Sequence, residues 1–385
     1  MSTRYTPREM LEKLISFNTV SDRSNLDLIA FVEDYLSGYG IASVRVPDET
    51  GTKASLHARI GPARDGGVVL SGHTDVVPVA GQNWSRDPFS AWVLEGKLYG
   101  RGSADMKGFA ATVLAKVPDF IAADLGRPIH IALSYDEEVG CFGAPPLVRD
   151  MLAKGPRPEF VIVGEPTNMK IVTAHKGIAV FKTTVRGHPA HSSQLHRGVS
   201  AISAAAKLIC WLDARTAENK ANADPDCAFE PPYTTLHSGV IKGGEAHNIT
   251  AEHCEFTTDF RLLPGDSKQS WLDRYKAFID TEVLPGMLAI SGECAISVTE
   301  LAYVPGLSEE VDGPAETEVR GLTGDNARHV VVYATEGGIF QEHGLSTVVC
   351  GPGSIDQAHQ ADEFIELVEL ERCAAFLDRL MKRLS

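Results

Sequence analysis

The chain has 385 residues, of which 43% are hydrophobic and 23% charged, and its 36 basic and 51 acidic side chains give a formal net charge of -15. This composition is typical of a soluble globular protein rather than a disordered one, and the length predicts two domains. The acidic balance argues against nucleic acid and anionic membranes as partners, because both would repel the chain at long range.

Cysteine usage and the N-terminal segment predict the cellular compartment. The seven cysteines are scattered and contain no Cys-x-x-Cys pair, which favours reduced thiols. The segment MSTRYTPREMLEKL has no apolar core of signal-peptide length, and the sequence nowhere offers ~18 consecutive apolar residues. We therefore expect a cytoplasmic protein.

Helical and strand patterns alternate along most of the chain. A capping box at residues 6–9, with proline at the first helical position, predicts an opening helix. Further helical patterns cover residues 26–36, 107–122 and 362–383. Short apolar runs that end in polar residues or glycines predict buried strands at 68–75, 129–138, 160–166, 329–338 and 346–354. This order predicts an α/β fold with a mostly parallel sheet covered by helices, in which ligands bind beyond the carboxyl ends of the strands.

Residues 179–300 have a different pattern. Their strand-like segments alternate polar and apolar residues, and they frame helical patterns at 198–214 and 268–282. Alternation is typical of a sheet covered on one face. We therefore predict a smaller α+β domain at 179–300, inserted into a larger domain formed by residues 1–178 and 301–385.

The first predicted strand ends in the string GHTD, which places His73 and Asp75 on one side of an extended segment. His73 is a candidate metal ligand with Asp75 orienting its ring, and the alternative is a capping aspartate beside an unrelated histidine. Asp105 precedes a predicted helix, where capping the helix is the more common role of a single aspartate.

Three adjacent acids, Asp136, Glu137 and Glu138, follow the strand IHIALSY. One interpretation is a solvated acidic turn. The other is that one carboxylate binds a metal while its neighbour accepts a proton from water. Glu165 lies at the end of the strand FVIVGEP, and His359 lies beyond the last predicted strand. Taken separately, each residue fits a structural role as well as it fits a role in metal binding.

Five of these side chains are expected at the same edge of one sheet, because each follows a strand or opens a helix: His73, Asp105, Glu138, Glu165 and His359. Two imidazoles and three carboxylates, without a thiolate, suit two zinc or cobalt ions. The joint pattern predicts a two-metal hydrolase site.

A series of strings resembles the dinuclear-zinc peptidase and deacylase family: GHTDVVPV, WSRDPF, GKLYGRGSADMKG, SYDEEVG, GEPTNMKIVTAHKG, GHPAHSS, DFRLLPG, ATEGGIF and CGPGSIDQAHQADEFI. The resemblance extends from about residue 5 to the C-terminus. It implies that His73 and Glu165 bind one metal ion, that Glu138 and His359 bind the other, and that Asp105 bridges both.

The resemblance also implies roles around the metals. Asp75 matches the carboxylate that orients the first histidine, and Glu137 matches the general base. His191, in GHPAHSS, matches a lid histidine that stabilises an oxyanion, in its own chain or in the partner's site, with His188 and His196 as rivals.

Weaker matches concern the substrate. Asn248 and Arg261 resemble substrate contacts, while Gly353 and Ser354 resemble a loop that binds a carboxylate. The Arg261 guanidinium is suited to a forked pair of hydrogen bonds with a carboxylate, and the alternative is an ion pair with an acid of its own sheet. Three acids remain unranked candidates for binding a substrate ammonium: Glu245, Glu336 and Asp356.

The resemblance implies hydrolysis of a small-molecule N-acyl amino acid by a homodimer whose inserted domain acts as lid and dimerisation domain. N2-acetyl-L-ornithine, cleaved to L-ornithine and acetate in arginine biosynthesis, is the expected substrate, and N-succinyl-diaminopimelate or a broader range of acyl amino acids is the alternative. A non-catalytic metal-loaded binding protein is a rival of a different class. A hydrolase with Cys141 or Cys350 as nucleophile is the third interpretation.

Overall fold

The computed structural model describes residues 3–385. Its α-helices are α1 (Pro7–Ile15), α2 (Leu26–Gly38), α3 (Lys107–Ala115), α4 (Val117–Ala122), α5 (Ala144–Lys154), α6 (Ala201–Ala221), α7 (Lys268–Phe278), α8 (Leu284–Leu288), α9 (Pro314–Thr323), α10 (Gly337–Glu342) and α11 (Leu367–Leu384). Its strands are β1 (Ser43–Pro47), β2 (Ala54–Ile60), β3 (Val68–His73), β4 (Trp92–Leu94), β5 (Lys97–Tyr99), β6 (Ile129–Ser134), β7 (Phe160–Pro166), β8 (Val172–His175), β9 (Gly177–Arg186), β10 (Thr235–Gly243), β11 (His253–Leu262), β12 (Ala295–Val304), β13 (His329–Val331), β14 (Ser346–Gly351) and β15 (Phe364–Glu366).

The chain forms two compact units. The first contains the residues up to Ala174 together with Leu307–Val330 and Thr335–Ser385, and the second contains His175–Gly306 and Val331–Ala334. The assignment of a lid or dimerisation role to residues 179–300 stays a prediction.

The first unit is built on an eight-stranded sheet in the order β1-β2-β6-β3-β7-β14-β8-β13. The central strands β6, β3, β7 and β14 are parallel to one another, whereas β1 and β2 are antiparallel at one edge. Every residue of β3, β6 and β7 is buried, which is typical of strands covered by helices on both faces. The predicted helix-covered and mostly parallel sheet is confirmed.

Local signals decide where the helices begin and end. Thr6 Oγ1 accepts the backbone N–H of Glu9 at 3.2 Å, and the Glu9 carboxylate accepts the backbone N–H of Thr6 at 2.8 Å, so the predicted capping box opens α1. The helical pattern predicted over 107–122 forms two helices rather than one, because α3 ends at Ala115 and α4 begins at Val117. Pro118 lies in the first turn of α4, where its missing N–H costs no helical hydrogen bond.

Two other predicted elements are shorter in the structure. The helix predicted over 362–383 begins only at Leu367, because Phe364–Glu366 pair with β5 as an antiparallel strand. The strand predicted over 329–338 is limited to His329–Val331, which is half-buried at the edge of the large sheet. Neither segment has the fully buried environment of the central strands.

The second unit contains a four-stranded antiparallel sheet in the order β10-β11-β9-β12. Alternate residues of β9 are buried, and apolar side chains of the sheet pack with those of α6 and α7, among them Phe181, Phe260, Leu208 and Tyr275. The predicted α+β organisation of this region is confirmed. Among residues 3–385, no helix combines the length and the apolar character needed to cross a bilayer.

Candidate metal centre

The carboxyl ends of the central strands carry the predicted metal ligands. His73 is the last residue of β3, and Glu165 is the penultimate residue of β7. Asp105 lies two residues before α3, while Glu138 and His359 lie in the segments that follow β6 and β14. All five belong to the first unit, at the edge of the sheet where open α/β folds bind their ligands.

Close packing of α3 on β7 brings two of these ligands together. Gly164 precedes Glu165, and a Cβ atom at Gly164 would lie 2.0 Å from the ring of Phe109 in α3. Only glycine allows the helix that follows Asp105 to lie this close to the strand that carries Glu165. We therefore expect any larger residue at Gly164 to displace one ligand from the other.

Asp105 lies between the two histidines. Its Oδ1 is 3.1 Å from His73 Nε2, and its Oδ2 is 3.2 Å from His359 Nε2. Glu138 Oε2 is 3.1 Å from the same nitrogen of His359, whereas Glu165 Oε1 is 3.9 Å from His73 Nε2. One carboxylate thus directs one oxygen to each half of the cluster, which is the arrangement that a bridging ligand requires.

The donor atoms form two overlapping groups. Atoms of His73, Glu137 and Glu165 lie within 4.8 Å of one another, and so do atoms of His73, Asp105 and Glu138. Donor atoms that each lie ~2.1 Å from one ion are at most ~4.2 Å apart, so both groups have nearly the spacing that zinc needs. Glu137, expected as the base, therefore lies within this spacing of both His73 and Glu165.

Burial and close contacts between the groups shift the pKa values of the acids and bases in this cluster. Burial raises the pKa values of Glu137 and Glu165 well above their ordinary range, and repulsion from Asp105 adds to both shifts. Burial opposes ionisation of Asp105 as well, but hydrogen bonds from the two histidines lower its pKa. Hydrogen bonds to Asp105 and Glu138 raise the pKa of His359 to about 10.

The cluster fits a pair of divalent cations. Glu138 Oε1 and Glu165 Oε1 are buried and have no hydrogen-bond partner among the described residues. A buried carboxylate oxygen without a partner is costly, and a cation removes that cost. The four carboxylates of Asp105, Glu137, Glu138 and Glu165 also carry the negative charge that two divalent ions balance.

Asp75 supports two parts of the cluster. His73 Nδ1 donates to the backbone carbonyl of Asp75 at 2.9 Å, whereas the nearer carboxylate oxygen lies 3.6 Å from that nitrogen. The carboxylate instead accepts the backbone N–H groups of Glu137 and Glu138, at 3.1 and 3.3 Å, and the Ser21 hydroxyl at 2.7 Å. Asp75 therefore orients His73 mainly through its backbone and holds the Glu137–Glu138 pair through its side chain.

The three acids considered as partners of a substrate ammonium differ in burial and in hydrogen bonding. Glu336 is 1% exposed, and its two oxygens accept the hydroxyls of Ser71 and Ser134. Its carboxylate is thus already bound within the sheet. Glu245 and Asp356 are exposed.

The predicted carboxylate-binding loop follows β14 in the first unit. Gly353 has a left-handed backbone (φ +87°), and its N–H donates to Glu369 at 3.2 Å. The Ser354 hydroxyl accepts the N–H of Asp356 at 3.3 Å and caps a short 3₁₀ turn. Because the Gly353 amide is engaged, the Ser354 hydroxyl is the more suitable group of this loop for a ligand.

The remaining substrate candidates belong to the second unit. His191 is exposed, and its Nδ1 accepts the backbone N–H of Ser193 at 3.2 Å. Asn248 is exposed as well. Arg261 Nε donates to Asp259 at 2.9 Å, which is the partner within its own sheet that the alternative interpretation expected.

Neither candidate cysteine has the properties of a nucleophile. Burial raises the pKa of Cys141 well above its ordinary range, and the nearby Glu137 carboxylate adds to the shift. Burial raises the pKa of Cys350 to about 12. A nucleophilic cysteine needs a thiolate near neutral pH, so both residues are inert side chains of the core.

Carboxylates and imidazoles with metal-ligand spacing, beside a further acid of raised pKa, are typical of a metal-dependent hydrolase. The family comparison gives the same class. The chain belongs to peptidase family M20/M25/M40, whose family model matches residues 69–383.

The chain is similar to named relatives and to solved structures. It is 34% identical to the acetylornithine deacetylase of Proteus mirabilis (strain HI4320) over 382 residues, which cover 97% of this chain and 95% of the relative. Two solved structures share its fold over 98% of each chain: an M20 family metallo-carboxypeptidase from Sulfolobus solfataricus (TM-score 0.74, 16% identity) and a dinuclear metal-binding peptidase of the M20 family from Bacillus subtilis (TM-score 0.66, 14% identity).

Proposed function

We propose that the protein hydrolyses the amide bond of N2-acetyl-L-ornithine and releases L-ornithine and acetate, as a step of arginine biosynthesis. The substrate is suggested by the name of the relative from Proteus mirabilis, which is similar along nearly the whole chain. The observation that carries the reaction class is the cluster in which the buried Asp105 carboxylate faces both His73 and His359.

Two divalent ions are proposed at this cluster. His73 and Glu165 would hold one ion, Glu138 and His359 the other, and Asp105 both. We propose zinc as the metal, with cobalt as an alternative, because histidine nitrogen and carboxylate oxygen suit both. When bound, the ions supply Lewis acidity, which lowers the pKa of water and polarises a carbonyl group.

Glu137 is proposed as the general base. Its carboxylate would take a proton from the attacking water as the new C–O bond forms on the acetyl carbon. It would return that proton to the departing amine nitrogen as the C–N bond breaks, so that acetate and the free amine are released. Burial, which raises the pKa of Glu137, helps this carboxylate to hold the proton between the two steps.

His191 is proposed as the donor to the developing oxyanion. Because its Nδ1 accepts a backbone N–H, the neutral ring would carry its proton on Nε2 and could donate it to a negatively charged oxygen. Asn248, Arg261, Gly353 and Ser354 are proposed substrate contacts. We also propose that the protein is a cytoplasmic homodimer in which residues 179–300 form the lid and dimerisation domain.

An assay of amine release tests the proposed hydrolysis. Metal-stripped protein and protein reloaded with zinc or cobalt would be compared on N2-acetyl-L-ornithine, N-succinyl-LL-diaminopimelate and N-acetyl-L-methionine. We expect metal-dependent turnover that is fastest on acetylornithine. Faster turnover of another substrate would overturn the proposed substrate, and a metal-loaded protein without turnover on any of them would indicate a binding protein.

A further inference from the structure

We propose that Glu363 is a positioning residue that fixes the two loops carrying Asp105 and His359 for metal binding. The inference rests on the proposed metal site and extends it to a residue that does not bind the ions itself. It follows from the hydrogen bonds of one buried carboxylate.

The Glu363 carboxylate is enclosed by the loop that leads to Asp105. Its Oε1 accepts the backbone N–H groups of Ala104 and Asp105 at 2.9 and 3.1 Å. Its Oε2 accepts the N–H of Gly102 at 3.0 Å and the Nη1 of Arg101 at 2.8 Å. The side chains of Glu363 and Arg101 are each 1% exposed, so water does not compete for these bonds.

Only an ionised carboxylate satisfies this set of donors. Both oxygens of Glu363 act as acceptors, three of the four donors belong to the backbone, and the fourth is a guanidinium. A glutamine at this position would replace one carboxylate oxygen with an amide NH₂, which is itself a donor. The backbone N–H groups or the guanidinium on that side would then face a second donor, and the loop that leads to Asp105 would have to move away. Because the bonded groups include the amide of Asp105 itself, such a movement would displace the carboxylate proposed to bridge the metals.

Glu363 is close to His359 along the chain and is bonded to the loop that carries Asp105. Glu363 follows His359 by four positions, and the backbone carbonyl of Glu363 accepts the N–H of Gly100, in the loop that leads to Asp105, at 2.9 Å. The same short segment therefore supplies one proposed metal ligand and the anchor of another.

Arg101 extends the anchor to the backbone of His359. The Nη1 of Arg101 also donates to the backbone carbonyl of Gln360 at 3.3 Å. The Nη2 of Arg101 donates to Gln82 Oε1, and Gln82 Nε2 in turn donates to the backbone carbonyl of His359 at 2.8 Å. His359 has a left-handed backbone (φ +62°), which is uncommon for a residue with a side chain and needs such support. The guanidinium lies over the ring of Trp84, 5.0 Å from its centre.

The network makes selective predictions for metal affinity. Glu363→Gln should weaken both metal sites, because Asp105 serves both, whereas Gln82→Leu should weaken only the site that includes His359. Loss of a group that orients a metal ligand typically lowers affinity by about 10- to 100-fold. We expect Glu363→Gln to fall within this range and Gln82→Leu to cause a smaller loss at one site.

Zinc titration in competition with a chromophoric chelator would measure these affinities, and the visible spectrum of the cobalt-loaded protein would report ligand geometry. Glu310→Gln is the matched control, since that carboxylate accepts Ser346 and Gln341 in the first unit and contacts neither metal-ligand loop in the described structure. We expect this control to retain wild-type zinc affinity and the wild-type cobalt spectrum.

Wild-type affinity and spectrum in Glu363→Gln would overturn the inference, and so would an affinity loss equal to that of the control. If Glu363→Gln does not fold, Gln82→Leu provides the test. Wild-type zinc affinity at both sites of Gln82→Leu would contradict the proposal that this hydrogen-bond network positions the metal ligands. A wild-type protein that binds no zinc would instead refute the proposed function, and the inference would fail with it.

Discussion

The two larger sheets of this protein lie in units that place chemically active side chains in opposite environments. The central strands β3, β6 and β7 of the first unit are buried along their whole length, and they deliver His73 and Glu165 into a cluster in which carboxylate oxygens of Glu138 and Glu165 are buried without a hydrogen-bond partner within residues 3–385. In the second unit, only one face of the sheet is fully covered, and His191 and Asn248 are exposed. The buried edge is suited to holding ions in fixed geometry, whereas the exposed residues are suited to contacts made only when substrate is bound.

Substitutions in each unit test this contrast. Changes in the first unit should alter metal content or the chemical step, and changes in the second unit should alter turnover while leaving metal content intact.

The largest effect is expected at Asp105. Asp105→Ala removes the carboxylate that lies 3.1 to 3.2 Å from both histidines, so we expect loss of both ions and no measurable turnover. Metal analysis and amine release on the same sample would measure both effects. Retention of both ions in this variant would refute the bridging role.

A large loss of rate with unchanged metal content is expected for Glu137→Gln. Removal of a general base typically costs about 10²- to 10⁴-fold in rate. Asp136→Asn is the neighbouring control, because Asp136 pairs with Lys53 at 2.6 Å rather than with the cluster, and it should keep both ions and most activity. Metal loss in Glu137→Gln would make Glu137 a ligand, as its spacing to His73 and Glu165 would allow.

A smaller loss is expected for His191→Ala. Removing one oxyanion donor lowers kcat by about 10²- to 10³-fold. Metal content should stay at the wild-type value. His196→Ala, which changes another exposed histidine of the same segment, should leave kcat unchanged. Equal kinetics in the two variants would remove His191 from the mechanism.

A still smaller effect is expected for Arg261→Met. A hydrogen bond to a charged group contributes about 1.5 to 3 kcal/mol, so kcat/KM should fall by about 10- to 100-fold, mainly through KM. Asp259→Asn tests the competing role, because it weakens the ion pair of 2.9 Å while keeping the guanidinium. A lower melting temperature in Arg261→Met without any change in KM would assign this arginine to its sheet alone.

The smallest effect concerns pH and the metal-free protein. The raised pKa values of Glu137, Glu165 and His359 mean that the folded metal-free cluster binds protons more tightly than the unfolded chain. Its stability should therefore fall as pH rises above the ordinary glutamate value, about 4.5, and fall further between the ordinary histidine value, about 6.5, and the pKa of His359 at about 10. Metal ions replace those protons, so the gain in melting temperature on adding zinc should be larger at about pH 8 than at about pH 6. A constant gain would contradict these shifts.

Several features of the molecule were predictable from sequence because they depend on local patterns. The buried apolar runs predicted the central strands, and the residues at their ends predicted which side chains would meet at one edge. The capping box at Thr6 and Glu9 predicted the start of α1. In each case the signal lies within a few residues of the feature.

Features that depend on distant partners were not predictable in this way. The Ser21 hydroxyl donates to Asp75, which is 54 positions away in the sequence, and the Ser71 hydroxyl donates to Glu336, which is 265 positions away. No local sequence pattern marks either hydrogen bond. Phe364–Glu366 were expected in a helix because their strand partner, β5, lies far away in the sequence. The Glu363 carboxylate likewise contacts a loop that lies some 260 positions earlier.

Anomalous scattering from a crystal of the zinc-loaded protein would test the central claim most directly. We predict two zinc peaks per chain, one beside His73 and Glu165 and the other beside Glu138 and His359, with Asp105 contacting both. A single peak at this cluster, or zinc bound only elsewhere, would contradict the proposed two-metal site.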